Sequence, residues 1–262
     1  LINVRTVVSP DALLPLDLQR FAILLDVDGT ILDFAPTPRE VWVPPGLQDV
    51  LLQLLKKTDG AVGLVSGRSL EDLDLIFTPL QMAGVGCHGA ELRPVFGAPQ
   101  ERPRAAPLDE GIKRRFATIK NLAPGILLED KGYSLAVHYR LAPDCEQAVR
   151  EAIASIGAGL RDMPIEVLPG KFVLEIKSAG ITKALGVREL MKCPSFADRR
   201  PIFIGDDVTD ETIFPIIPEY SGYCFSVGRE IEGTNGCFDS PESVRRWLTK
   251  LAQSPMPERR SA

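Results

Sequence analysis

Short apolar runs separated by amphipathic stretches set the rhythm of this chain. Phe21–Val27, Ala61–Val65, Pro201–Ile204 and Ser221–Phe225 are candidate core strands. Apolar positions spaced by three and four mark helices over Gly46–Lys57, Ser69–Phe77, Thr182–Met191 and Pro241–Ala252. Strands alternating with helices at this spacing build a parallel sheet covered by helices on both faces. The outer parts of the chain therefore predict an α/β, Rossmann-like parallel-sheet core.

The middle reads differently. After the Pro-rich stretch Phe96–Pro107 come a helix, two strands, a helix and two more strands. Ser134–Arg140 alternates, with Leu135, Val137 and Tyr139 on one face and Ser134, Ala136, His138 and Arg140 on the other. Lys171–Lys177 does the same, with Phe172, Leu174 and Ile176 opposite Lys171, Val173 and Glu175. A period of two means that one face packs and the other is wet. This predicts a small inserted α+β domain over residues 103–175, leaving 1–102 and 176–262 to form the core. The tail, Gln253–Ala262, is expected to fray.

Composition narrows the class. The 262 residues are 45% hydrophobic and 25% charged, ordinary globular usage. Thirty-five acidic against 30 basic residues give a formal charge of -5, which argues against a nucleic-acid surface. The five cysteines, Cys87, Cys145, Cys193, Cys224 and Cys237, form no C-x-x-C pair and are odd in number, as expected of thiols in a reducing compartment. No apolar stretch approaches the ~20 residues that span a bilayer. The start of the chain shows no basic region followed by an apolar core and a cleavage site. A cytoplasmic protein acting on a small molecule is the expectation, with neither nucleic acid nor membrane as partner.

The candidate chemistry lies at strand ends, where open parallel sheets bind ligands. Asp26-Val27-Asp28-Gly29-Thr30 follows the first strand. Two carboxylates one residue apart, ahead of a glycine, can form a polar turn. They can also divide the work of attack and proton transfer around a hard cation. Ser66-Gly67-Arg68 follows the second strand and could simply cap a helix. Gly205-Asp206-Asp207-Val208-Thr209-Asp210-Glu211 holds four carboxylates within six residues. Helix N-terminal enrichment explains one or two of them. Repulsion among the rest raises their pKa values, and a divalent metal resolves it. Lys183 opens a helix, where a cation opposes the dipole by roughly 0.3–1 kcal/mol. Stability gives no reason for it there, whereas a bound phosphoryl anion does. Nucleophile, acid, hydroxyl, lysine and metal cluster are the parts phosphoryl transfer needs.

The order DVDGT, SGR, Lys183 and GDDVTDE resembles the four motifs of the haloacid dehalogenase (HAD-like) superfamily of phosphatases, over nearly the whole chain. The insertion looks like the α/β cap of its sugar-phosphatase branch. GCHGAE (86–91), EDKGYSLAVHYR (129–140), LPGKFVLEIK (168–177) and GDDVTDE (205–211) are similar to the trehalose-6-phosphate phosphatase family. One departure is Ala184, where the family commonly has glycine after the lysine.

The resemblance implies a hydrolase that releases trehalose and phosphate from trehalose 6-phosphate through an aspartyl-phosphate. Asp26 is then the nucleophile and Asp28 the general acid and base. Mg2+ is held by Asp26, the Asp28 backbone carbonyl and Asp206, with Asp207 and Asp210 acting from nearby or through water. Ser66 and Lys183 hold the phosphoryl oxygens. Thr30, Gly67 and Arg68 complete the substrate-binding set in the core, Thr30 by helping to place Asp28. Glu129, Lys131, Arg140, Lys171 and Glu175 match the cap positions that recognise sugar, and His88, Gly89 and Glu91 also match the family. A trehalose-phosphate synthase is the implied metabolic neighbour. The competing readings are a capped phosphatase for sucrose or hexose phosphates, a non-catalytic sugar-phosphate sensor, and a phospho-accepting receiver module. The receiver would carry its accepting aspartate on a later strand than the first.

Overall fold

The computed structural model describes residues 7–35, 40–99, 106–160, 164–170 and 172–255. Five consecutive buried residues form β1 (Phe21–Leu25). The chain continues through α1 (Leu47–Lys57), β2 (Val62–Val65), α2 (Leu70–Ile76), β3 (Ala83–Gly86) and β4 (Glu91–Arg93). Next come α3 (Glu110–Phe116), β5 (Leu127–Asp130), β6 (Ser134–His138), α4 (Glu146–Ala158), β7 (Ile165–Gly170) and β8 (Val173–Ser178). It closes with α5 (Lys183–Leu190), β9 (Arg200–Gly205), β10 (Tyr223–Val227), β11 (Gly236–Phe238) and α6 (Pro241–Gln253). The chain divides into two compact units, Leu1–Arg102 with Thr182–Ala262, and Pro103–Ile181.

In the first unit a seven-stranded sheet runs β11-β10-β9-β1-β2-β3-β4. Every neighbouring pair is parallel except β3 with β4. Both faces are buried, as the uninterrupted apolar runs require. Ile23, Leu25, Ile202 and Ile204 pack with Leu51, Leu54, Trp247 and Leu248 on one side. Leu24 and Phe203 pack with Val187, Leu190, Phe214 and Ile217 on the other. Side chains fix three helix starts: Ser69 accepts from Asp72 N, Thr182 from Leu185 N, and Ser240 from Ser243 N ahead of Pro241.

Strand boundaries move for local reasons. The first strand stops at Leu25, because the Val27 carbonyl turns back to accept the amides of Ile31 and Leu32. Ser221 adopts φ +55° and closes the 3-10 segment Phe214–Tyr220, so β10 begins at Tyr223. β3, β4 and β11 have only three or four residues each and show no periodicity from which to read them. Gln253, expected to open a frayed tail, is the last residue of α6.

The second unit is an antiparallel sheet, β5-β6-β8-β7, with the expected helix-strand-strand-helix-strand-strand order. Leu135, Val137, Leu174 and Ile176 pack against Ile112, Phe116, Val149 and Ile153. Three expectations change here. A return to the core at residue 176 would cut β8, whose end still pairs with β7 through Glu166–Lys177 and Ile165–Ser178; the unit runs to Ile181. The face read as wet is buried at Ser134, Glu175 and Lys177. Phe172 is not a strand residue: at φ +61° it precedes β8, and it meets Tyr139 edge-on. Lys171 lies outside the described residues.

Among the described residues no helix is long and apolar enough to cross a membrane. The five cysteines form no disulfide. Trp247, 2% exposed, joins α6 to Phe238 in an edge-on contact and donates to the Pro10 carbonyl. Trp247→Ala should cost about 3–5 kcal/mol, read from the shift of the urea-unfolding midpoint at unchanged slope.

Candidate active site

Register places the first two acidic motifs side by side. β1 and β9 are parallel neighbours with Leu25 opposite Ile204, so the residues just beyond them meet at one sheet edge. The Asp26 amide donates to the Ile204 carbonyl at 2.9 Å. Gly29 takes φ +82°, and a Cβ there would lie 2.3 Å from Asp206 Oδ2. Glycine is thus required by the turn and by the approach of Asp206. Thr30, wholly buried, donates from Oγ1 to Asp206 Oδ1 at 3.1 Å. It positions Asp206, where the sequence reading had it help Asp28.

Lys183 is the first residue of α5 and 3% exposed. Its Nζ donates to Asp26 Oδ1 and to Asp210 Oδ1, each at 2.8 Å. These two carboxylates hold a cation at the unfavourable helix pole, so a bound anion is not needed to account for it. Ala184 is partly buried against the second core cluster. Asp210 has a second bond, from the Asp207 amide to Oδ2 at 3.1 Å. The exposed Asp207 caps its own turn by accepting from Val208 N. Glu211 pairs with Arg229. Asp207 and Asp210 together form the capping box of this turn and Glu211 is held in its ion pair, so the ordinary helix-start reading leaves Asp206 unexplained and does not account for the bond from Lys183 to Asp210.

Asp26, Asp206 and Asp210 each bring one carboxylate oxygen within 4.8 Å of the others. Asp210, expected to act from nearby, belongs to the cluster itself. Burial, the Asp26 charge and the Asp210 charge push Asp206 up to about 8. Burial and Asp26 push Asp210 up to about 7 against the pull of Lys183. Asp26 is also raised, by burial first, with Lys183 opposing. Burial disfavours the Lys183 charge, but Asp210 and Asp26 outweigh it and its pKa rises. One ammonium against three carboxylates leaves an excess of negative charge with only oxygen donors, the donor set of a hard divalent cation.

Asp28 points to a different partner. Arg68 grips it with two bonds, Nε to Oδ2 at 2.6 Å and Nη2 to Oδ1 at 2.7 Å. This fork fixes the carboxylate's orientation. Nothing local in the sequence announces it, since the two residues are 40 positions apart. Ser66 is buried, and its Oγ accepts from the Arg68 amide at 3.1 Å. Gly67 lies under the His88 ring.

In the second unit, cross-strand register puts Glu129, Ala136 and Glu175 in one row. Ser134 and His138, two residues either side of Ala136, share that face, so His138 and Glu175 lie on the same side of the sheet. His138 Nε2 lies 2.9 Å from Glu129 Oε2. Glu175 accepts from Ser134 Oγ and, at 3.3 Å, from Lys131 Nζ. The His138 bond, outweighing burial, lowers the Glu129 pKa. Arg140 lies beyond β6, its guanidinium 6.0 Å from the Phe172 ring centre. Ser134 and His138 fall inside the family-like string 129–140 but were not among the expected sugar contacts; the strand alternation places them on this face.

A largely parallel sheet with D-x-D-G-T just beyond its central strand, a buried lysine bound to that first aspartate, and an inserted α+β unit are the features of a phosphatase. The chain belongs to the trehalose-phosphatase family, whose model matches residues 24–230. A probable trehalose-phosphate phosphatase of Sinorhizobium fredii is 38% identical over 242 residues, covering 90% of this chain and 89% of that protein. The trehalose-6-phosphate phosphatase of Escherichia coli is 32% identical over 232 residues, covering 88% and 86%. The C-terminal domain of the C. albicans trehalose-6-phosphate phosphatase has the same fold, with a TM-score of 0.81 at 22% identity, covering 95% and 98%.

The acidic cluster sets a pH dependence. Asp206 and Asp210 ionise at higher pH in the folded chain than the usual value of 3.8. The folded state therefore holds more protons between that value and about 8, and stability falls as pH rises through this window. Protein stripped of cations should melt lower at pH 8.5 than at pH 6, and a divalent cation should raise the melting temperature more at pH 8.5. Asp206→Asn should shrink both differences in the same thermal melts.

Proposed function

We propose that this enzyme hydrolyses trehalose 6-phosphate to trehalose and phosphate, with Mg2+ as its cation. The observation that carries the reading is the buried Lys183 ammonium set between Asp26 and Asp210 within the acidic cluster. The residues that would hold Mg2+ are Asp26, Asp206 and the Asp28 backbone carbonyl, with Asp210 adjoining; the all-oxygen set suits it. When bound, the ion offsets the negative charge of the phosphoryl oxygens as the nucleophile approaches.

The chain's own groups supply the rest. The Asp26 carboxylate attacks phosphorus, forming an O–P bond as the bond to the sugar oxygen breaks. The Asp28 carboxyl gives its proton to that departing oxygen. Asp28 then takes a proton from water, whose oxygen attacks phosphorus and releases Asp26 and phosphate. Arg68 keeps Asp28 oriented between the two steps. Lys183 and Ser66 hold phosphoryl oxygens, and Asp207 steadies the turn that carries Asp210.

Glu129, Lys131, Arg140, Lys171 and Glu175 recognise the disaccharide. A sugar presents hydroxyls and little apolar surface, so selectivity requires polar groups held in place before binding. The pairs Glu129–His138 and Glu175–Ser134 support this reading. It extends to a cytoplasmic location, on cysteines without disulfides, and to a trehalose-phosphate synthase as supplier of the substrate.

Phosphate release across a panel of sugar phosphates tests the proposal. Trehalose 6-phosphate should be cleaved far faster than sucrose 6-phosphate or glucose 6-phosphate, and the reverse order overturns the substrate. Asp26→Asn and chelation of divalent cations should each abolish release; full activity in either sinks the mechanism. Glu175→Gln should raise KM for trehalose 6-phosphate by about 10–100-fold, the worth of a hydrogen bond to a charged group.

A further inference from the structure

The GCHGAE segment is left over by this chemistry, and its backbone is unusual. Cys87 and His88 take φ of +47° and +55°, and Gly89 follows at +115°. Successive non-glycine residues in the left-handed region persist only where surroundings over-determine them. Here the surroundings are the Ser66–Arg68 loop. The Cys87 amide donates to the Arg68 carbonyl at 2.8 Å, and the His88 amide to the Ser66 carbonyl at 3.1 Å. Glu91 accepts from the Leu70 amide at 2.7 Å, just beyond the loop. Both flanks of Gly67 are thus tied to one strained turn.

Between those ties the His88 ring covers Gly67. A Cβ on Gly67 would lie 2.6 Å from both Cε1 and Nε2 of that ring. The φ of Gly67 is outside the left-handed region, so its backbone does not demand glycine; the imidazole does. On its other side the same turn meets the helix that carries Lys183, where a Cβ on Gly89 would lie 2.2 Å from the Thr182 carbonyl oxygen.

We propose that His88 is a positioning residue: its ring on Gly67 and its amide on Ser66 set the loop that holds the phosphoryl group. The inference rests on the phosphatase reading above and gives Gly67 a role in packing in place of substrate contact.

A double-mutant cycle tests it. Gly67→Ala should lower kcat/KM and weaken competitive inhibition by inorganic phosphate, each by about 10²-fold, the loss typical of a misplaced catalytic group. In a His88→Ala background, where the space is open, the same change should alter neither by more than about twofold. His88→Ala alone should raise the inhibition constant for phosphate about tenfold while the melting shift produced by Mg2+ stays as in the parent enzyme. If Gly67→Ala does not fold, recovery of a cooperative melt in the double variant supports the proposal equally. Equal damage from Gly67→Ala in both backgrounds, or an unchanged phosphate constant in His88→Ala, overturns it. The phosphate inhibition constant does not depend on which sugar is cleaved, so preference for another sugar phosphate would sink the substrate reading and leave this one standing.

Discussion

The Lys183 ammonium joins three distant parts of the chain. It sits at the start of α5, bonded to Asp26 beyond β1 and to Asp210 in the turn beyond β9. All three groups are nearly or wholly buried. Removing one partner from such a set typically costs about 3–5 kcal/mol, because the others remain buried and uncompensated. That exceeds the roughly 0.3–1 kcal/mol by which a cation opposes a helix N-terminus. The lysine therefore stays where local electrostatics disfavours it. The same interaction concentrates negative charge: one ammonium cannot balance three carboxylates, and the excess prepares the edge for a divalent cation.

Other parts of the edge serve that arrangement. Gly29 lets Asp206 approach, Thr30 holds it, and Arg68 turns the Asp28 carboxylate to a partner of its own. These roles keep two aspartates one residue apart from competing for one environment. In the second unit, polar groups likewise lie on strands backed by an apolar core. Buried charges there are paired: Glu175 with Ser134 and Lys131, and Lys177 with Glu166 and the Ile181 carbonyl. Groups held this way lose little freedom when a ligand arrives.

Much of this was legible in advance. The apolar runs and helical spacings located most of the first unit's strands and helices to within a residue or two, since burial on both faces leaves a continuous signal. Alternation in Ser134–Arg140 identified a two-layer unit. It misjudged the second face, because a strand's pattern says which residues differ in polarity, not whether charged ones will be paired and covered. Ser221 and Phe172 misled for a related reason: apolar neighbours made them look extended, whereas their positive φ ends one segment or opens the next. β3, β4 and β11 are too short to carry a period, and only their neighbours in the sheet define them.

The D-x-D-G-T turn, the helix caps at Ser69, Thr182 and Ser240, and the acidic run were determined by sequence alone, because each depends on residues within a few positions of one another. The fork of Arg68 on Asp28, Thr30 on Asp206, Asp210 within the cluster and His88 over Gly67 were decided by tertiary structure. Those contacts exist only because β9, β1, β2 and β3 lie side by side in that order with their carboxyl ends together. A pattern along the chain reports which face of an element is buried; strand order and register decide which charges at the sheet edge become neighbours.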